Sequence, residues 1–291
     1  MPATESRFTS PVDDIELAAY AWKECAGEPR GVVQIAHGLA EHGARYDRLA
    51  QALNAAGFLV HATDHRGHGR SVESAERLGH FGAPGFDGLI ADISAYGRRL
   101  DEAYPELPLF LLAHSMGSFA AQSVILDYPT LYAGVVLSGS SALDALAAGM
   151  AANTEGPAGL EAFNVGFEHR TGYEWLSRDE AEVDAYVADP LCWFEVPEET
   201  IGLLFGHAAR LADPDALTTL NPDLPLLIAS GQSDPLSGGG ELVQLLAQRY
   251  RDAGVTDVSV SVYPEARHEI FNETNRGEIT ADVIDWLAAH V

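Results

Sequence analysis

Ser115 lies in the sequence Ala-His-Ser-Met-Gly, between an apolar run and a helical pattern. In the pattern small-x-Ser-x-Gly, the small residues allow a strand-to-helix turn so tight that the serine hydroxyl is held out of it. The turn also places the hydroxyl at a helix N-terminus, where the N–H of Met116 can meet a developing negative charge. Such a pattern alone is common by chance, and a plain turn is the alternative. The strand before it and the helix after it favour a catalytic nucleophile.

Two further residues have the types that a serine nucleophile needs, a base and a carboxylate that orients the base. Asp234 follows one predicted strand in GQSDPLS, and His268 follows another in RHEIFNE. Alone, a loop aspartate is usually a turn or cap residue, and a loop histidine is usually solvated. The chain order Ser, Asp, His is that of a hydrolase on a parallel sheet, and all three follow strands. The sequence therefore predicts a triad of Ser115, Asp234 and His268.

A second backbone donor for a negatively charged oxygen is expected from the loop AHGLAEH (36–42). Gly38 allows close approach of the backbone, and the N–H of Leu39 is the candidate donor. His37 could act as a base, but a role in bracing this loop is favoured. Glu41 and His42 could form a metal site with His37. No further ligand at suitable spacing follows, and we predict no metal here.

The glycine-rich sequence DHRGHGRS (64–71) has two functional interpretations, both of which we reject. As metal ligands, Asp64, His65 and His68 lack strand support on both sides. As a phosphate loop, the segment lacks the lysine and the start of a following helix. A rigid turn is the better prediction.

The elements that must position these residues alternate along the chain. Strands are predicted at 31–38, 58–64, 107–115, 132–140, 224–230 and 255–264, and helices at 45–57, 86–104, 118–129, 241–254 and 280–291. This alternation predicts an α/β fold with a mostly parallel sheet covered by helices on both faces.

Residues 141–215 interrupt the alternation with helical stretches and no convincing strand. So long an interruption predicts an inserted helical cap on a core formed by residues 1–140 and 216–291. Most aromatic side chains of the cap are expected to pack its own interior. They are Phe163, Phe167, Tyr173, Trp175, Tyr186, Trp193, Phe194 and Phe205.

The composition limits the partners of the protein. The net charge is −26, and the 17 basic residues include a single lysine, Lys23. A surface this acidic repels phosphate backbones, so nucleic-acid binding is not expected, and it leaves at most transient membrane contact through the cap. The chain has no apolar run long enough to span a bilayer and no signal-peptide pattern. Cys25 and Cys192 have no metal or redox spacing, so a reduced cytoplasmic setting is expected.

Five motifs together resemble the monoacylglycerol lipase and lysophospholipase-like branch of the α/β-hydrolases: AHGLAEHGARYDRLA, DHRGHGRS, AHSMGS, GQSDPLS and RHEIFNE. The cap sequence LSRDEAEVDAYVADPL also looks like that branch. By position, the resemblance implies Ser115 as nucleophile, Asp234 as orienting carboxylate, His268 as base, and Leu39 with Met116 as oxyanion donors. Two positions depart from the common pattern. Ala113 and Ser118 stand where glycine is common, which leaves substrate choice open.

The resemblance implies a serine hydrolase of carboxylic esters, with a monoacylglycerol or similar single-chain lipid as substrate and no cofactor. A short-chain esterase, a thioesterase and a peptidase acting on small N-terminal residues are alternatives. A dehalogenase is disfavoured because its nucleophile would be aspartate. A non-catalytic ligand receptor on the same fold is a further alternative, since an intact triad does not exclude it.

Overall fold

The computed structural model describes residues 2–152 and 159–291 and contains an eight-stranded sheet of order β1-β2-β4-β3-β5-β6-β7-β8. Strands β3 to β8 are parallel, and β1 and β2 add an antiparallel edge beside β4. The strands are β1 Thr4–Thr9, β2 Glu16–Trp22, β3 Gly31–Ala36, β4 Phe58–Thr63, β5 Leu109–His114, β6 Gly134–Ser138, β7 Leu226–Gly231 and β8 Val258–Tyr263. The helices are α1 Asp47–Ala55, α2 Gly85–Ala103, α3 Met116–Asp127, α4 Leu143–Ala152, α5 Glu180–Ala188, α6 Glu198–Phe205, α7 Ala208–Ala212, α8 Pro214–Leu217, α9 Glu241–Asp252 and α10 Arg276–Ala289.

The central strands are buried on both faces. Every residue of β3, β5, β6 and β7 is buried, as expected for apolar runs in a parallel sheet covered by helices. On β5, Leu109 and Leu111 pack into the core shared with α2, α3 and α9, while Phe110 and Leu112 pack against α1 and α10. Because successive side chains of a strand point to opposite faces of the sheet, the core has two halves, one on each face. The predicted α/β fold is confirmed.

The antiparallel edge is absent from the sequence prediction. In β1 only Phe8 is buried, so the strand lacks the apolar run that marks the central strands. β2 reads ELAAYAW, and its alanines carry little strand signal. Because β2 runs antiparallel to β4, Trp22 pairs with Val60 near the beginning of β4. Lys23 therefore follows β2, exposed, at the sheet edge where the parallel strands begin.

The chain between β6 and β7, which we call the β6–β7 segment, is helical. It contains α4 to α8, and its described residues include no strand. Residues 153–158 of the predicted cap lie outside the described part of the chain, and the predicted boundary after Asp215 falls within α8. The segment packs on the core partly through α6, where Thr200 Oγ1 donates to Gly79 O at 2.6 Å. No helix in the described residues is both long and apolar enough to cross a membrane.

Candidate active site

Ser115 occupies the single-residue turn between β5 and α3. Its backbone has φ 52° and ψ −121°, a conformation that costs free energy in any residue other than glycine. The turn is tight because α3 passes directly over β3. A side chain on Gly117 would overlap the carbonyl oxygens of Ala36 and His37, whereas the small, buried Ala113 fits at the end of β5. The strained turn places Ser115 at the carboxyl end of β5, where its hydroxyl meets His268.

His268 joins Ser115 to Asp234 in a continuous chain of hydrogen bonds. Its Nδ1 lies 2.9 Å from Asp234 Oδ2, and its Nε2 lies 2.9 Å from Ser115 Oγ. A carboxylate only accepts, so Nδ1 carries the proton and Nε2 accepts the proton of the Ser115 hydroxyl. Asp234 is itself held by Leu236 N, which donates to Oδ1 at 2.9 Å, and by the Ser230 hydroxyl, which donates to Oδ2 at 3.3 Å. The structure thus brings together the three residues predicted from the sequence.

The surroundings of His268 favour its protonated form. Burial, the largest single effect, lowers the pKa of the imidazole, but the Asp234, Glu269 and Glu41 carboxylates together outweigh it. The net result is a pKa above the usual histidine range. The imidazole can therefore hold a proton taken from Ser115.

Two rings enclose the His268 imidazole. The His114 ring lies 4.7 Å away and the Trp175 ring 4.8 Å away, measured between centroids. Burial, with a further contribution from His268, lowers the pKa of His114 to about 3, so this neighbour is neutral. The His268 ring, which is 2% exposed, is consequently shielded from water by an uncharged imidazole and an indole.

The loop after β3 (residues 37–46, the β3 loop) lies beside the Ser115 turn. A side-chain carbon on Gly38 would come within 3.1 Å of Ser115 Cβ and 2.8 Å of Glu41 Oε1, so only glycine fits there. Leu39 N and Met116 N, both in the described part of the chain, donate no hydrogen bond within the protein. Two backbone donors next to Ser115 are thus free for a ligand.

Glu41, considered above only as a metal ligand, holds the β3 loop in place. Its Oε1 accepts a 2.6 Å hydrogen bond from Gly38 N and a 2.9 Å bond from the Tyr46 hydroxyl. The motif HGLAEH placed Glu41 near the site, but its acceptor role depends on the loop conformation, which the sequence alone does not reveal.

The sequence DHRGHGRS forms a turn that braces the β3 loop from behind. His65 N donates to His37 Nε2 at 2.9 Å, and the His65 ring lies 3.1 Å from His37 O through Nε2. Asp64 accepts hydrogen bonds from Gly43 N and Arg70 N at 2.8 and 2.7 Å. His37 is therefore engaged with this turn.

One group of metal-capable side chains occurs among the described residues: His42, Asp189 and Cys192. His42 Nε2 donates to Asp189 Oδ2 at 2.9 Å, so these two side chains are already hydrogen-bonded to each other. Burial raises the pKa of the Cys192 thiol, which keeps it protonated. Trp193 N also donates to Ala40 O at 3.1 Å. We interpret the group as a contact that fastens the β6–β7 segment to the β3 loop.

The sheet order and the strained serine turn define an α/β-hydrolase. The serine aminopeptidase S33 family matches residues 27–275. A monoacylglycerol lipase from Mycolicibacterium smegmatis is 33% identical over 91% of this chain and 90% of its own length, and a monoglyceride lipase from Mus musculus is 30% identical over 87% and 84%. The solved structure of a carboxyl esterase from Bacillus coagulans in complex with glycerol superposes with a TM-score of 0.85, at 27% identity and 100% coverage of both chains. The chain belongs to the serine aminopeptidase S33 family and is a serine ester hydrolase. The resemblance to the monoacylglycerol lipase branch is confirmed.

Proposed function

We propose that Ser115, His268 and Asp234 are the catalytic triad with which this serine ester hydrolase cleaves single-chain lipid esters, above all monoacylglycerols. The observation that carries the proposal is the unbroken pair of 2.9 Å contacts from Ser115 Oγ through His268 to Asp234. The names of the matched relatives support the lipid substrate.

In the proposed reaction, His268 Nε2 takes the proton of Ser115 as Oγ attacks the ester carbonyl carbon. The carbonyl oxygen becomes an oxyanion that accepts hydrogen bonds from Leu39 N and Met116 N. His268 then gives the proton to the alcohol oxygen as the ester bond breaks, which leaves an acyl-serine. Water, deprotonated by the same imidazole, attacks the acyl carbon; the bond to Ser115 Oγ then breaks, His268 returns the proton to Oγ, and the fatty acid leaves.

We further propose that residues 141–215 form a cap that supplies the binding wall for the acyl chain. The segment reaches the site directly, since the Trp175 ring packs against the His268 ring, tilted by 36°, and the Trp175 carbonyl oxygen accepts from His268 N at 3.2 Å. Each substrate methylene that leaves water contributes about 0.8 kcal/mol, so a long chain gains much more than acetate does. Exposed apolar side chains on the cap suit transient contact with a lipid surface: Met150, Val165, Trp193 and Leu203.

The charge of the protein supports a neutral substrate. A net charge of −26 disfavours anionic headgroups, so we propose that monoacylglycerols are preferred over lysophospholipids and that nucleic acids are not bound. The free thiols of Cys25 and Cys192 support a reduced, cytoplasmic setting.

The test is a panel of p-nitrophenyl esters and monoacylglycerols from short to long chains, assayed with the parent and with Ser115→Ala. We expect kcat/KM to rise with chain length and hydrolysis by Ser115→Ala to fall by roughly a thousandfold or more. A fluorophosphonate probe should label the parent at Ser115 and should not label the variant.

Three outcomes would contradict parts of this proposal. A kcat/KM that is highest for acetyl esters would indicate a short-chain esterase with a small pocket beneath the cap. Faster cleavage of aminoacyl p-nitroanilides or of acyl thioesters would indicate a peptidase or a thioesterase. Binding of a monoacylglycerol without sustained turnover would indicate a receptor.

A further inference from the structure

Three charged side chains form a buried cluster beside the base. Arg45 donates to Glu269 through both terminal nitrogens, at 2.6 and 2.8 Å, and its Nη1 also lies 2.7 Å from Glu41 Oε2. The side chains of Glu41 and Glu269 are 4 and 7% exposed, and that of Arg45 is 12% exposed. Because little water screens these charges, their interactions are stronger than those of surface ion pairs.

The cluster joins two loops that both reach Ser115. Glu41 and Arg45 belong to the β3 loop, and Glu41 Oε1 holds Gly38 N at 2.6 Å. Glu269 directly follows the base in the loop after β8 (residues 264–275, the β8 loop), where Asn272 Nδ2 donates to its Oε2 at 2.8 Å. Movement of one loop relative to the other would break the paired hydrogen bonds between Arg45 and Glu269.

The cluster also carries surplus negative charge. Burial, together with Glu269, raises the pKa of Glu41, while Arg45 and the hydrogen bonds from Gly38 N and Tyr46 act against this rise. Both oxygens of Glu41 accept hydrogen bonds and neither has an acceptor to donate to, so we treat this carboxylate as ionised. Burial raises the pKa of Glu269, but Arg45 outweighs burial and lowers it to about 2. With Asp234, the surroundings of His268 therefore hold three negative charges and one positive charge. Asp234 alone would supply one negative charge. Glu41, Glu269 and Arg45 together add one further net negative charge.

Arg48 lines the same cavity as Glu269 and donates to Asn272 Oδ1, but its charge is paired with Glu182 at 2.6 Å. The remaining titratable groups that face Glu269 are uncharged. Burial lowers the pKa of the His114 imidazole and raises the pKa of the phenols of Tyr46 and Tyr186 and of the Cys192 thiol, so all four are neutral near pH 7. None of them compensates the surplus charge.

We propose that Glu269 is a positioning residue for His268: it locks the β8 loop to the β3 loop through Arg45, and its charge stabilises the imidazolium that forms during catalysis. The inference rests on the proposed role of His268 as the base. Glu269 touches neither the nucleophile nor the expected substrate position and acts only through its neighbours.

The test compares Glu269→Gln with Glu273→Gln. Glu273 is a fully buried carboxylate of the same β8 loop. It accepts from Arg178 Nε and from Arg267 N, and it makes no hydrogen bond with Arg45 or with the His268 ring. Both variants lose one buried charge, so both should be less stable. Only Glu269→Gln removes negative charge next to His268. We expect the acidic limb of its kcat/KM–pH profile to move to lower pH by about 0.5–1 unit, with KM little changed.

Glu41→Gln provides a second measurement if Glu269→Gln does not fold. It removes one charge from the same cluster on the other loop, so its acidic limb should move in the same direction. The pH dependence of fluorophosphonate labelling should shift in parallel, because labelling needs only the free base and nucleophile. The inference would be overturned if the acidic limb stayed at the parent position in whichever of Glu269→Gln and Glu41→Gln folds. It would also be overturned if the limb moved by the same amount in Glu273→Gln.

Failure of the proposed catalytic triad would give a different result from failure of the proposed role of Glu269. If Ser115→Ala or His268→Ala retained parental hydrolysis, the triad itself would be misassigned, whatever Glu269→Gln showed. If those two variants are inactive and the acidic limb is unmoved, only the role of Glu269 fails.

Discussion

The hydroxyl of Ser118 donates a 2.6 Å hydrogen bond to the carbonyl oxygen of Ser115, one turn back along α3. Ser118 is fully buried, so its hydroxyl faces the helix backbone. The sequence departure at this position therefore stabilises the first turn of α3 and does not line a binding surface.

Ser118→Ala should reduce the free energy of unfolding by about 1 kcal/mol, the usual net contribution of one intramolecular hydrogen bond. Its relative kcat/KM for short and long esters should equal that of the parent. Urea unfolding and the ester panel measure the two quantities. A changed chain-length preference would show that Ser118 contacts the substrate.

Ser115→Gly should be more stable than Ser115→Ala, although both should be inactive. Alanine retains the strain of φ 52° and ψ −121°, whereas glycine adopts this conformation without a steric cost. Glycine also gives the unfolded chain more freedom, so we expect a net difference of about 1 kcal/mol. Equal unfolding midpoints would mean that the turn stores no strain.

Asp234→Asn should lower kcat by roughly ten-thousandfold, because an amide in place of the carboxylate favours the wrong tautomer of His268. The control is Asp223→Asn, an exposed aspartate just before β7, which should retain parental activity. Full activity in Asp234→Asn, with loss in Asp223→Asn or Asp213→Asn, would move the orienting role to another residue.

The protein should lose stability as the pH falls from about 6.5 towards 4.5, before most carboxylates titrate. Burial lowers the pKa of His65 to about 3 and of His68 to about 4, so the folded state binds fewer protons than the unfolded state in this range. The free energy of unfolding then rises with pH, and each such histidine contributes about 2 kcal/mol between pH 5 and 6.5.

Urea unfolding at pH 7 and pH 5 measures this effect. His68→Gln should show a smaller loss between the two pH values than the parent, whereas His80→Gln, at an exposed position of the same region, should match it. If His68→Gln lost as much unfolding free energy between pH 7 and pH 5 as the parent, the buried imidazole would not be the cause of the acid sensitivity.

The agreement between sequence and structure is best where a local pattern carries the information. The small residues around Ser115 specify the turn, and apolar runs specify the parallel strands, so Asp234 and His268 could be placed at the same sheet edge. The bond between Arg45 and Glu269 joins residues 224 positions apart and depends on how two loops meet. No local pattern encodes such a contact. β1 was missed for a related reason, because it is held by pairing with β2 and buries only Phe8.

The position of Lys23 determines how the enzyme would sit on a solid support. It is the only lysine of the chain and follows β2 at the sheet edge opposite to Ser115. A resin coupled to the Lys23 side-chain amine would therefore hold the chain by the end of the sheet opposite to Ser115, so that Ser115 faces the solution. Most acidic enzymes with many lysines would attach in random orientations, and a fraction of their sites would be blocked.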